Sequence, residues 1–122
     1  MLASCSHDTD VIVWNLVTGT MMHHLVGHTY PVYDLIVISS HLIASGSEDK
    51  TIKVWNIING TLAQTLNGHK GSVASLDMTS NGLLASGSSD GTIKFWQVSS
   101  TKQATIERSI DTSSQIEALL II

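Results

Sequence analysis

The sequence predicts an all-β fold assembled from repeats of one four-stranded antiparallel unit, and three observations carry that prediction. The stretch Leu42–Trp55, LIASGSEDKTIKVW, returns almost unchanged as Leu83–Trp96, LLASGSSDGTIKFW, with a worn copy ahead of both. The copies keep one register: Trp14, Trp55 and Trp96 recur every 41 residues, as do Asp8, Asp49 and Asp90, Ser4, Ser45 and Ser86, and Ala3, Ala44 and Ala85. Short runs rich in Val, Ile and Thr alternate with polar turn residues, a composition that suits strands better than helices. A period of about 40 to 45 residues marks a repeat architecture, in which each unit buries its apolar face on its neighbour. The length of 122 residues therefore measures about three periods rather than a single core.

Residues 1–26 read as the second to fourth strands of a unit whose first strand would precede Met1. Leu2–Ser4 matches Leu84–Ser86, Asp8–Trp14 alternates in part as a half-buried strand does, Thr18-Gly19 turns the chain, and Thr20–Leu25 is the last strand. Residues 27–67 hold a complete unit opening at Gly27-His28, with strands Val32–Ile38, Leu42–Ser47, Thr51–Asn56 and Thr61–Leu66. Turns fall at Ser39–His41 and Glu48–Lys50, and Asn59-Gly60 is the dipeptide favoured in two-residue type I′ hairpins. Residues 68–110 repeat the plan from Gly68-His69, with strands near Val73–Met78, Leu83–Ser88 and Thr92–Val98, an Asn81-Gly82 hairpin, and a less regular last strand within Lys102–Ile110. Residues 111–122 fit the first strand of a further unit, since Ile116 and Leu119 reproduce the spacing of Val73 and Leu76 at an offset of 43. A chain that starts on a second strand and stops after a first one reads as a piece of a longer array.

Six Lys and Arg stand against ten Asp and Glu, and no basic cluster occurs, so nucleic acid is not an expected partner. Cys5 is the only cysteine, which excludes an internal disulfide framework and fits a reducing compartment. Its register mates are Gly46 and Gly87, the places of small strand residues. The only long apolar run, Ala118–Ile122, falls far short of the roughly 20 residues of a membrane span, and the N-terminus has neither a basic region nor an apolar core of the signal-peptide kind. A cytoplasmic setting is expected, with the nucleus as the alternative, and no membrane association. No G-x-x-x-x-G-K, G-x-G-x-x-G or G-x-S-x-G motif is present, and no cofactor is expected. Asn59-Gly60-Thr61 has the form of a glycosylation sequon, but its hairpin position accounts for it.

Gly-His, a first strand and turn, then L-x-A-S-G-S-x-D-x-T-I-K-x-W led by Leu42 or Leu83, resembles the WD40-repeat β-propellers, most specifically over Gly27–Trp96. The family signature closes on Trp-Asp, whereas Trp14 and Trp55 precede Asn15 and Asn56, and Trp96 precedes Gln97. The resemblance implies four-stranded blades around a channel, first strand innermost and Trp strand third, here an incomplete or open ring of about three blades. It also implies hydrogen-bonded tetrads of His28, Ser45, Asp49 and Trp55 and of His69, Ser86, Asp90 and Trp96. The first copy keeps Ser4, Asp8 and Trp14 but its His would lie before Met1. The chemistry is sound, because a buried indole N–H needs an acceptor, a hydroxyl both accepts and donates, and a neutral imidazole can pass the chain on to a carboxylate.

His with Ser and Asp also suggests a catalytic triad, but a set recurring at the repeat period is a structural one. His23, His24 and His28 lie close in sequence as metal ligands do, yet two of the three are unrepeated and sit on an expected edge strand, where polar residues discourage pairing; no metal is expected. By resemblance the chain holds other proteins or peptides. Contact positions in the family flank the innermost-strand Val or precede the turn Asp, which gives Pro31, Tyr33, Ser72, Ala74, Glu48, Ser89 and His7, with nearby Tyr30 as a further aromatic anchor. The expected function is thus a non-catalytic protein-interaction scaffold. Its rivals are a self-assembling propeller, a homo-oligomer in which copies complete each other's blades, and an enzyme on a propeller scaffold, which lacks any acid–base set outside the repeat.

Overall fold

The computed structural model describes residues 1–122, which form eleven strands and no helix. Strands β1 (Leu2–Cys5), β2 (Val11–Asn15) and β3 (Thr20–Leu25) make a three-stranded sheet. The next sheet runs β4 (Val32–Val37), β5 (Leu42–Ser47), β6 (Ile52–Asn56), β7 (Thr61–Leu66), and the third runs β8 (Val73–Met78), β9 (Leu84–Ser88), β10 (Thr92–Gln97), β11 (Thr105–Asp111). Every pairing is antiparallel.

The sheets pack face to face in chain order. One apolar cluster joins the first two sheets through Val11, Val13 and Leu25 on one side and Val32, Ile43 and Trp55 on the other. A second joins the next pair, with Ala44, Ile52, Val54 and Leu66 meeting Val73, Leu76, Leu84 and Trp96. A strand covered on both faces loses the polar–apolar alternation of a half-exposed one, and β5 and β9 are accordingly buried at every residue. They are built from Ala, Ser and Gly because the neighbouring sheet comes very close: a Cβ on Gly46 would lie 2.8 Å from Val73 Cγ1. Gly87 is pressed in the same way by Ile116.

Side chains also cross between sheets. Asp34 Oδ2 accepts the amide of Leu76 at 2.8 Å. Farther out, the Gln64 amide donates to the carbonyls of Ser99 (2.6 Å) and Lys102 (2.8 Å), and its Oε1 accepts from Ala104 N at 2.7 Å.

Three local features differ from the sequence expectation. Asn59-Gly60 is not a two-residue I′ hairpin: residues 57–60 connect β6 to β7, and of that pair only Gly60 has positive φ, 72°. The reason lies in the residue after each Trp. Asn56 Oδ1 accepts from the amides of Ile58 and Asn59, and Asn15 Oδ1 from those of Val17 and Thr18, so each side chain folds its loop into a wider turn. An Asn carbonyl thus accepts the same bonds an Asp carboxylate would, and where Gln97 stands instead, Ser99 Oγ accepts from Thr101 and Lys102 N.

The second difference is at Tyr33 and Ala74. The β4–β5 register steps from Val32 opposite Ser47 to Asp34 opposite Gly46, and β8–β9 from Val73 opposite Ser88 to Ser75 opposite Gly87. Both skipped residues are β-bulges, which free a side chain from the pleat and re-aim it.

The third is the tail. Residues 112–122 form no strand, and Asp111 belongs to β11. The residues nevertheless take first-strand places: Ile116 fills Val73's role against the glycine of the preceding sheet, and Leu119 N donates to Ser75 Oγ at 2.9 Å as Leu76 N does to Asp34. A strand exists only with a hydrogen-bonding neighbour, and here none lies on its far side.

Candidate functional site

The two complete repeats each bury one polar relay. Trp55 Nε1–H donates to Ser45 Oγ at 2.8 Å, Ser45 Oγ lies 2.6 Å from His28 Nε2, and His28 Nδ1 lies 2.6 Å from Asp49 Oδ2. In the second, Trp96 meets Ser86 at 2.8 Å, Ser86 meets His69 at 2.7 Å, and His69 meets Asp90 at 2.9 Å. Because Asp can only accept when ionised, Nδ1 carries the imidazole proton and Nε2 accepts from the serine hydroxyl. The hydroxyl and indole are almost fully enclosed, Ser45 at 0% and Trp55 at 1% exposure.

The environment sets the charges. Burial holds both imidazoles below the usual histidine range, against the opposing pull of Asp49 and Asp90, so they are neutral. Burial alone would raise the carboxyls of Asp49 and Asp90, but donated hydrogen bonds overcome it and leave Asp49 below the usual carboxylate range and Asp90 well below it. Thr51 gives Asp49 its amide (2.9 Å) and hydroxyl (2.6 Å), and Thr92 does the same for Asp90 at 2.8 and 2.7 Å. Thr29 N and Lys70 N supply one more each. These threonines were not singled out from sequence, although the D-x-T spacing shared by both repeats carries the signal.

In the first sheet Trp14 Nε1–H donates to Ser4 Oγ at 2.9 Å, with Ser4 exposed. Asp8 is exposed too and is placed by its amide, which donates to Ser6 Oγ at 3.1 Å. The unrepeated histidines go separate ways: His23 Nε2 lies 3.2 Å from the carbonyl of Ile58, and His24 Nε2 lies 2.9 Å from Asp10 Oδ1.

The expected contact residues lie on loops and bulges at one end of the sheets. Four of them, Tyr33, Ser72, Ala74 and Ser89, line a single open hollow of about 460 Å3, which Gln115, Ile116 and Glu117 complete. Gln115 and Glu117 were not singled out from sequence; the offset of 43 that aligns Ile116 with Val73 also aligns them with Ser72 and Ala74. Tyr33 is exposed, and its ring meets His7 edge to face with centroids 6.1 Å apart. Partial desolvation and then the Glu48 carboxylate raise the Tyr33 phenol above its ordinary value. Tyr30 and Pro31 contribute differently, through carbonyls that accept from Ser47 Oγ at 3.0 and 2.9 Å and so fix the loop entering β4, while the Tyr30 side chain stays exposed.

Successive antiparallel sheets packed face to face, each meeting the next through its first strand and carrying a buried Trp–Ser–His–Asp relay where it is complete, define a segment of a β-propeller. The model of the WD domain, G-beta repeat, matches residues 19–56 and 60–97. This chain belongs to the WD40 family. A search of curated proteins gives no match. Among solved structures, the chain is similar to the crystal structure of the WD40 beta propeller domain of Doa1, with a TM-score of 0.82 and 23% sequence identity. The match covers 95% of this chain and 38% of that one, so this chain spans well under half of that propeller's length. At such identity the likeness is one of fold.

Proposed function

We propose that the chain is a non-catalytic scaffold that holds a protein or peptide partner on the end of the propeller where Tyr33, Ser72, Ala74 and Ser89 line one hollow. WD40 propellers as a family serve protein–protein interaction and are generally non-catalytic. One observation carries the reading for this chain: the positions of the relay repeat with the same residues, whereas those around the hollow do not. At the bulge position Tyr33 gives way to Ala74, and before the turn Asp the residue is His7, Glu48 or Ser89. Residues that must only hold a sheet together can be copied, while a surface that grips one partner needs a different side chain at each place around it. On this reading the blades are residues 1–26, 27–67 and 68–110, with 111–122 beginning a further one.

Against an enzyme, both His–Ser–Asp sets are closed to substrate. His28 and His69 are buried, and each serine hydroxyl already accepts an indole N–H and donates to an imidazole. A cytoplasmic or nuclear setting has the support of a lone, half-buried free thiol, Cys5.

The test is selection of binders from a random-peptide display library on the purified chain, followed by mapping. Binders should lose most of their affinity on Tyr33→Ala or Ala74→Arg and keep it on Leu62→Arg, an exposed position on β7. Binders indifferent to Tyr33 and Ala74 would overturn the reading.

A further inference from the structure

We propose that the hollow between Tyr33 and Glu117 receives a cationic side chain, arginine, from an extended segment of the partner. The inference rests on the scaffold reading and adds the chemistry of what is held. Positions 33 and 74 are the bulged places of the first strands β4 and β8, position 117 takes the matching place in the tail, and they carry Tyr, Ala and Glu. The middle one is nearly empty: Ala74, with Ser72 and Ser89, contributes almost no side chain, so a space of about 460 Å3 stays open between an aromatic ring and a carboxylate. The ring is held in place by His7, packed edge-on at an interplanar angle of 79°. Because Tyr33 is the bulged residue of β4, its side chain is released from the β4–β5 pleat.

The charge in the hollow is of one sign. Glu117 is its only charged lining residue, and no Lys or Arg lines it. Glu48 stands beside the Tyr33 phenol, outside the lining itself. Both glutamates are exposed and carry no salt bridge. A planar guanidinium can lie on an aromatic face while its N–H groups point at a carboxylate, and it is more weakly hydrated than an ammonium, so it loses less on entering such a space. Small polar neighbours, Ser72, Ser89 and Gln115, offer hydroxyl and amide oxygens to the remaining donors. An acidic segment would meet the like charge of Glu117 here, and a neutral apolar side chain would leave that carboxylate unanswered.

The experiment is a titration of the 15N-labelled chain with N-acetyl-L-arginine amide, following the backbone amide shifts of Tyr33, Ala74, Ser89 and Glu117. N-acetyl-L-citrulline amide, of nearly the same shape but uncharged, is the control. The expected result is saturable shifts confined to these residues with arginine and none with citrulline. Affinity should fall about 3-fold on Glu117→Gln, in keeping with an exposed ion pair, and binding should vanish on Glu117→Lys. Both variants alter an exposed side chain, and their unchanged remaining spectrum reports that the fold is intact. Equal shifts with citrulline, shifts elsewhere on the chain, or indifference to Glu117→Gln would overturn the proposal. If neutral peptides selected by display still depend on Tyr33 while arginine does not bind, the arginine inference falls and the scaffold stands. If selected binders ignore Tyr33 and Ala74, the scaffold reading itself falls.

Discussion

Replacing Ser45 by Ala removes one oxygen atom, and the relay makes its cost calculable. Two groups lose their partner at once: the Trp55 indole N–H at 2.8 Å and the His28 Nε2 at 2.6 Å. Water cannot stand in, because Ser45 is 0%, Trp55 1% and His28 5% exposed, and no buried side-chain polar atom in the chain is otherwise without a partner. Leaving one buried polar group unsatisfied costs about 1–3 kcal/mol, so two should cost about 2–6 kcal/mol, with almost no contribution from lost volume. Ser4→Ala is the internal control. It breaks the matching bond to Trp14, 2.9 Å, but Ser4 is exposed and water replaces the hydroxyl, so the loss should stay below about 1 kcal/mol. Urea unfolding followed by Trp fluorescence measures both. A Ser45→Ala cost below about 1 kcal/mol, or no greater than that of Ser4→Ala, would refute a closed relay.

The pH dependence of stability should fall in two stages on the acid side. Burial lowers His28 and His69 below the ordinary 6.5, so the unfolded chain takes up their protons first; their contribution is complete above that pH and is lost as pH drops through it. Asp49 and Asp90 are held below the ordinary 3.8, and their contribution is lost only below that value. A urea midpoint that rises between pH 7.5 and pH 5 would contradict the first stage. Gly46→Ala should destabilise by about 1–3 kcal/mol through overpacking, because its Cβ would meet Val73 Cγ1 at 2.8 Å. In a Val73→Ala background the penalty should shrink, and a double-mutant cycle with no coupling would refute the contact. Asn56→Asp should leave thermal stability within about 0.5 kcal/mol, since a carboxylate accepts the same two amides, whereas Asn56→Ala should lose about 1 kcal/mol. Equal melting temperatures for the two variants would show that the turn does not depend on that side chain.

The repeated parts of this fold were legible because they obey one local rule at each copy. A run of Ala, Ser and Gly ahead of D-x-T-I-K-x-W says that a strand is covered on both faces and that an indole needs a hydroxyl nearby, and β5 and β9 are those strands. What was not legible depends on a neighbour from another repeat. Asn59-Gly60 matches a two-residue hairpin by itself, and only the Asn56 side chain, three residues upstream, widens the turn. Ile116–Ile122 has the composition of a strand, yet strand formation depends on a partner backbone that composition cannot supply. The bulge at Tyr33 was hidden for a similar reason: alternation along β4 does not reveal that the register against β5 skips a residue. Four of the seven lining residues came from sequence, Tyr33, Ser72, Ala74 and Ser89. Gln115 and Glu117 follow only when the longer offset is carried past Ile116 to its neighbours.

The family model divides the chain differently from the sheets, and the difference is physical. A match over residues 19–56 takes β3 from the first sheet with β4, β5 and β6 from the second, and a match over 60–97 takes β7 with β8, β9 and β10. Each sequence unit therefore spans an interface instead of filling one sheet. The contacts across that interface explain why the sequence keeps these four strands together. Gln64 on β7 grips the loop after β10 through three hydrogen bonds, and its register mate His23 on β3 reaches the carbonyl of Ile58 after β6. A Cβ on Gly60, in that same loop, would collide with the His23 ring, starting with Nδ1 at 2.5 Å. The last strand of one sheet thus docks on the turn that closes the third strand of the next. Residues in contact sit on either side of a sheet boundary, so the repeat recorded in the sequence is the joint between blades, and the hollow proposed to hold a partner opens at such a joint, between the bulge of one first strand and that of the next.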